Sequence, residues 1–179
     1  MKRIPLIGLV VAGLLVSGVL VLGAGGWRWS QSSAVVQASL PYDVSGVVLE
    51  ALVGPDGEYA AYATYAAIVQ EYGYVEPYAS ILASEARHIV ALQRILDRYA
   101  VSYPVENPYL GVVEIPASLE NAAQAGVDAE IANVALYDAQ VAAVSAYADI
   151  TRVFSNLRRA SLEAHLPAFE LALQSGGSF

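Results

Sequence analysis

The feature that most restricts what this chain can fold into is an uncharged apolar run at its start. Lys2 and Arg3 are followed by residues 4–24, twenty-one residues without a charged side chain. As an α-helix this run would be roughly 31 Å long, enough to cross the hydrocarbon layer of a membrane. Trp27 and Trp29 follow it, where aromatic residues lie at a membrane interface, and the basic pair lies at the opposite end. The run predicts export, with the rest of the chain facing away from the cytoplasm.

The run can either stay as a transmembrane anchor or be removed as a signal peptide. It is longer than the usual apolar core of a cleaved signal, which favours an anchor. Residues 22–24 and 36–38, however, both loosely resemble small-residue cleavage sites. Two locations therefore stay open: a membrane-anchored protein with its body outside the cytoplasm, or a secreted protein. After this segment (residues 1–24), residues 25–42 are rich in Gly, Ser and Gln and predict a linker.

The body of the chain is acidic, which limits its partners. Residues 39–179 contain six arginines and seventeen acidic residues, a net charge of −11 with neutral histidines. Such a surface repels phosphate groups, so nucleic acid is excluded as a partner, and docking of the body onto anionic lipid is disfavoured. The chain has no cysteine, which rules out disulfides and thiolate metal sites.

The spacing of apolar residues in the body predicts helices and no strands. A short lead-in helix is expected over residues 44–52, with Asp56 in the following turn as the N-cap of the next helix. Four longer helices are expected over residues 58–72, 77–100, 117–144 and 150–173. Helices joined partly by short loops are typical of a four-helix bundle. The predicted fold is thus all-α, with one bundle domain over residues 43–179.

The inward stripes of these helices carry acidic and histidine side chains. Glu85 and His88 lie within the otherwise apolar seam of the second long helix. The stripes of the other three helices contain Glu58, Glu130 and His165. A buried, unpaired carboxylate is destabilising by several kcal/mol, so three of them need compensation. A divalent cation is the simplest compensation, because Glu-x-x-His with acids from facing helices is how bundles hold iron or manganese.

At these residues the sequence resembles the ferritin-like superfamily, and most closely a group of uncharacterised single-bundle ferritin-like domains, a domain of unknown function. The similar segments are residues 84–88 with Leu92, Leu96, Arg98, Tyr99 and Pro104; the region of Glu130; and residues 149–150 through 165–169. The resemblance covers about residues 43–173. It implies a ferritin-like four-helix bundle that binds metal ions in its core.

The resemblance also implies a role for each of the five residues. Glu58 would be the ligand from the first long helix, and Glu85 a bridging carboxylate. His88 would be a terminal ligand, Glu130 the ligand from the third helix, and His165 the imidazole from the fourth. The implied cofactors are iron or manganese ions.

Two departures from the family pattern affect the second metal position. A complete site has a glutamate three residues before the second histidine, where this chain has Leu162. Glu163 is about 200° around the helix from His165 and is expected to point away. The second departure is Asn133, which stands where some relatives have a further carboxylate. Separately, Pro167 removes a helical hydrogen bond just after His165. One ion, two ions or none are therefore all compatible with the sequence.

Two functions follow from these observations. The first is an exported di-metal oxidoreductase with oxidase-like or peroxidase-like chemistry. The second is a non-catalytic, envelope-side helical module that binds a partner or has a structural role. In that module the acids would be neutralised by Arg158, which lies two turns before His165, and by tyrosine hydroxyls. No nucleophile–base pair, phosphate-binding loop or zinc signature is present, so no catalytic residue is assigned. A homo-oligomer is compatible with either function.

Overall fold

The computed structural model describes residues 39–179, and every regular element in that part of the chain is helical. The α-helices are α1 (Tyr42–Val53), α2 (Glu58–Tyr72), α3 (Tyr78–Arg98), α4 (Leu119–Gln140), α5 (Ala148–Ala160) and α6 (Leu166–Gln174). The all-α prediction is confirmed. The predicted anchor or signal segment and residues 25–38 of the linker lie outside the described residues. No helix within residues 39–179 is long and apolar enough to span a membrane.

Short local signals set the ends of these helices. Gly57, not Asp56, is the N-cap of α2, so the predicted side-chain cap is wrong. A Cβ at Gly57 would lie 2.7 Å from the carbonyl oxygen of Ala51, so only glycine fits this turn. Gly73 ends α2 with a φ of 87°, a backbone conformation that glycine adopts without strain. Ser118 caps α4 by accepting a hydrogen bond from the backbone N–H of Asn121.

The fourth predicted helix is interrupted by a π-helical turn over Ser161–His165, between α5 and α6. The backbone N–H of Leu166 donates to the carbonyl of Ser161, five residues back. Pro167 has no N–H to donate, and a wider turn beside it accommodates that missing bond. The turn changes the register: Ser161 and His165 are both buried, whereas Leu162 is 37% exposed. A regular helix would place Leu162 on the inward face with His165, three residues before it, and this expectation is wrong.

The helices pack around two apolar clusters. α2 packs along α3, α4 packs along α5 and α6, and α1 covers α2 and α3. One cluster joins α1 to the C-terminal half of α3 and to α5, and the other joins α2, the start of α3 and α6. Along α3, Ile81 belongs to one cluster and Leu92 to the other, with Glu85 between them. The helical bundle therefore contains a polar layer between two apolar ones.

Candidate metal centre

The structure brings all five predicted ligand residues into this polar layer. Glu58 lies in the first turn of α2, Glu85 and His88 lie on α3, Glu130 lies on α4, and His165 ends the π turn. The three glutamates and His165 are at most 4% exposed, and His88 is partly buried. Carboxyl groups this deeply buried require compensation by a cation, a proton or a hydrogen-bond donor.

Glu85 is at the middle of the cluster. Its Oε2 lies 2.9 Å from Nδ1 of His88, and its Oε1 lies 3.1 Å from Nδ1 of His165. The two imidazole rings are 5.5 Å apart between centroids and nearly parallel, at 24°. Each oxygen of one carboxylate therefore faces a different histidine.

The ligand atoms form two groups that share Glu85. Glu58, Glu85 and His88 make the first group, and Glu85, Glu130 and His165 make the second. Within each group the ligand atoms all lie within 4.8 Å of one another, which is close enough to hold a metal ion. Carboxylate oxygens and imidazole nitrogens without thiolates suit iron and manganese among the transition metals.

Two buried tyrosines bind the carboxylates of Glu58 and Glu130, which lie on either side of Glu85 and are called the outer carboxylates. The hydroxyl of Tyr65 on α2 donates to Oε1 of Glu130 on α4, at 2.9 Å. Reciprocally, the hydroxyl of Tyr137 on α4 donates to Oε1 of Glu58 on α2. On both helices the tyrosine follows the glutamate by seven residues, two turns further along the same face. The helical period places each tyrosine on the same face as the glutamate of its own helix, but it does not pair the tyrosine with the carboxylate of the other helix.

His88 has a further partner that the sequence did not reveal. Its Nδ1 faces Glu58 and Glu85, while its Nε2 lies 3.3 Å from Oγ of Ser84 on the preceding turn. A partner on the outer nitrogen of an imidazole fixes which nitrogen is free to bind a metal. The four-residue spacing on one helix was the only sequence signal for this contact.

The buried groups shift one another's pKa values. Burial, and next the charge of Glu85, raise the pKa of Glu58 to about 8. Burial alone would lower the pKa of His88, but its hydrogen bonds with Glu58 and Glu85 raise it to about 10. For His165 the contacts with Glu130 and Glu85 likewise outweigh burial and raise the pKa to about 9. Burial acts to raise the pKa of Glu85, yet its close polar contacts with Glu58, His165 and His88 lower it. Without metal, both imidazoles therefore hold protons at neutral pH.

Not every polar atom in the cluster is satisfied by these contacts. Oε2 of Glu130 and Nδ1 of His165 are buried and have no hydrogen-bond partner among the described residues. Nδ1 of His165 lies 3.1 Å from Glu85 and 3.5 Å from Glu130, at ion-pair distance, but meets neither at a hydrogen-bond angle. Side chains that converge without pairing fully with one another are what a metal site requires, so these residues fit a divalent ion.

Arg158 does not neutralise this cluster. Its guanidinium binds the carboxylate of Asp138, with Nη2 3.0 Å from Oδ2, and the contact is exposed to solvent. The prediction that Arg158 neutralises the acids is therefore wrong. In a regular helix Arg158, two turns before His165, would lie nearly on the same face. The π turn rotates the two residues relative to each other by up to about 100°, which is the effect of one extra residue in a helical turn. Glu163 is exposed and points away from the cluster, as predicted.

Comparison with known proteins adds information about the fold. No protein family matches the chain, and no curated protein matches it significantly. A crystal structure of a hypothetical protein from Methanococcus jannaschii DSM 2661 is similar, with a TM-score of 0.67 and 22% sequence identity. The similarity covers 82% of this chain and 88% of that one. At this level of identity it shows that the two chains share a fold, and nothing about what either protein does.

Proposed function

We propose that this protein is an exported ferritin-like protein that binds two iron or manganese ions and carries out redox chemistry at them. In this proposal α2, α3, α4 and the α5–α6 pair are the four helices of a ferritin-like bundle, and α1 is an additional helix. The observation that carries the proposal is the position of Glu85, whose two oxygens face His88 and His165 at 2.9 and 3.1 Å. A carboxylate shared between two metal-binding groups is how a bundle of this kind holds a pair of ions.

The residues have distinct roles in this proposal. Glu58 and His88 would hold one ion, Glu130 and His165 the other, and Glu85 both. Bound iron or manganese would exchange electrons with dioxygen or a peroxide. Tyr65 and Tyr137 orient the two outer carboxylates through hydrogen bonds, as the supporting residues of metal sites commonly do.

The chain has Leu162 where a complete ferritin-like site has a glutamate. This difference removes one possible ligand but leaves the other five in place. A glutamate at this position would point outward, because the π turn exposes residue 162. Glu85 is then the only carboxylate that the two groups share among the described residues, and each group would supply three protein ligands. Sites with three protein ligands leave coordination positions for a substrate, which favours a reactive centre over a purely structural one.

A metal-free module is the second candidate, and one observation favours it. With protons on both imidazoles, the cluster largely balances the charge of its own carboxylates, and tyrosine hydroxyls provide further hydrogen bonds. The unpartnered Oε2 of Glu130 argues against this candidate, since a network built only for structure would pair such an atom. The envelope-side location is part of both candidates and is supported by the apolar run at residues 4–24.

Metal content tests the proposal. The full chain would be produced with iron and manganese supplied, purified in mild detergent because of residues 4–24, and analysed by mass spectrometry for bound metal. We expect about two ions per chain, and their loss in the Glu85→Ala/His88→Ala double variant. Glu163→Gln is the matched control, because Glu163 lies beside the site but is exposed. One ion per chain would limit binding to a single group, and no metal in the folded wild-type protein would leave the metal-free module.

A further inference from the structure

A cavity lies between α2 and α4, beside the Glu130 end of the cluster. Its volume is about 90 Å³, enough for a few water molecules, and it is partly open to solvent. Four alanines from the two helices form much of its wall: Ala60, Ala61, Ala125 and Ala129. Larger side chains at these positions would fill the space, so the cavity depends on this alanine-rich wall.

Two oxygens of residues in the cavity wall are buried and lack a hydrogen-bond partner among the described residues. Glu130 and Asn133 lie one turn apart on α4, both line the cavity, and they are 1% and 4% exposed. The unpaired atoms are Oε2 of Glu130 and Oδ1 of Asn133. Both atoms accept hydrogen bonds. The carboxylate oxygen is negatively charged and the amide oxygen has a partial negative charge, so a cation suits them and an anion does not. Asp56, which is exposed, adds a further negative charge at the cavity.

The opposite end of the cluster offers a poorer route for an ion. The side chain of His88 is 12% exposed, but its Nε2 lies against Ser84 and its Nδ1 faces the two glutamates. An ion arriving there would meet the imidazole ring before any carboxylate oxygen. At the Glu130 end, by contrast, the residue that lines the cavity is itself a member of the cluster.

We propose that this cavity is the access site of the metal cluster, where a partly hydrated divalent cation is held by Glu130 Oε2 and Asn133 Oδ1. From there the ion passes to the buried ligands, and Glu130 belongs to both sites. Oxygen ligands of this kind suit hard divalent cations that keep part of their water shell. This inference rests on the metal-binding function proposed above.

The rate of metal binding tests the access site separately from the affinity of the cluster. Cobalt(II) is the probe, because its visible absorption changes when nitrogen and oxygen ligands bind it. The full chain and an Ala125→Leu/Ala129→Leu variant would be mixed with cobalt(II) by stopped flow, and with a chelator to measure release. Both alanines are exposed, so leucine can cover the cavity without entering the core. Ala135→Leu is the matched control, since Ala135 is exposed on α4 and is not part of the cavity wall.

We expect the double variant to slow both binding and release by at least about tenfold, because the ion must wait for the wall to open. The dissociation constant should not change, and Ala135→Leu should behave as wild type. Wild-type rates in a folded double variant would overturn the access site while leaving the metal site intact. Absence of cobalt(II) binding in wild type would instead overturn the proposed function, and the access site with it.

Asp56→Asn provides a second measurement that does not depend on the double variant folding. Asp56 is exposed, and its charge should attract cations toward the cavity. Its removal should slow cobalt(II) binding at low ionic strength and have no effect at high ionic strength, because salt screens the interaction. Equal rates of cobalt(II) binding for Asp56→Asn and wild type at low ionic strength would contradict a route past Asp56.

Discussion

The hydroxyl of Tyr65 lies 2.9 Å from Oε1 of Glu130, and this hydrogen bond joins α2 to α4 across the polar layer. Tyr137 makes the reciprocal contact with Glu58, so each of the two helices gives one carboxylate and one hydroxyl to the same layer. The tyrosines also belong to different apolar clusters, Tyr65 to one and Tyr137 to the other. The reciprocal bonds therefore couple the packing of both apolar clusters to the position of the outer carboxylates.

Tyr65→Phe should destabilise the protein through this bond. The variant leaves Glu130 Oε1 buried without its donor, and a buried group left unsatisfied costs about 1–3 kcal/mol. The free energy of unfolding, measured by denaturant in the presence of a chelator, should fall by that amount. Tyr103→Phe is the control, because the bond from Tyr103 to Asp97 is exposed to solvent. An equally small effect in both variants would show that the buried bond contributes no more than the surface one.

The stability of the metal-free protein should decrease as pH rises from about 6.5 to 9. The folded-state pKa values of His88 and His165, about 10 and 9, lie above the ordinary histidine value of 6.5. The folded state therefore binds more protons than the unfolded state in this range, and it loses that advantage as the pH increases. The raised pKa of Glu58, about 8, acts in the same direction from pH 4.5 upward.

Thermal unfolding in a chelator at pH 6, 7.5 and 9 measures this dependence. His165→Gln removes one of the titrating groups and should make the decrease shallower. A melting temperature that stays constant or rises across this range in the wild-type protein would contradict the imidazolium–carboxylate network.

Metal should oppose this pH dependence. An ion binds the deprotonated ligands, so its affinity should increase as protons leave His88, His165 and Glu58. At an ion concentration about 100 times the dissociation constant, binding should stabilise the folded state by about 2.7 kcal/mol. The melting temperature in manganese(II) should therefore exceed that in a chelator, and by more at pH 8 than at pH 6. The Glu85→Ala/His88→Ala variant should show no such difference, and a shift of equal size in that variant would place the bound ion elsewhere.

Gly126→Ala should destabilise the packing of α4 against α6. A Cβ at Gly126 would lie 2.6 Å from the ring of Phe169, which is fully buried and packs against Tyr65 and Tyr78. Because the ring lies between neighbouring buried side chains, the added methyl group should overpack this contact, which costs typically about 1–3 kcal/mol.

Gly46→Ala is the matched control for this prediction. Gly46 lies within α1, and a Cβ there would meet no atom within 4 Å, so alanine should stabilise the helix by roughly 0.5–1 kcal/mol. Opposite signs for the two variants in denaturant unfolding are expected. A stabilising Gly126→Ala would show that Phe169 can reposition.

The helices and the composition of the polar layer could be predicted from the sequence because both depend on local periodicity. The predicted bounds of the first long helix, residues 58–72, match α2, since Gly57 and Gly73 stop the helix at both ends. The 3.6-residue period placed Glu85 in an apolar seam and brought Glu58, Glu130 and His165 to inward faces. Burial at these positions follows from the same period, and the structure shows it for each glutamate. The membrane anchor or signal peptide predicted from the apolar run at residues 4–24 stays a prediction of the sequence alone.

Tertiary structure decided which of these side chains meet. The π turn moved Leu162 outward and separated Arg158 from the face of His165, because one residue more in a turn shifts every residue before it around the axis. The bonds from Tyr65 to Glu130 and from Tyr137 to Glu58 depend on the height at which α2 lies beside α4. The shared position of Glu85 between two histidines depends on three helices at once. Periodicity fixes the face on which a residue lies, but distances between helices are set only when their side chains pack.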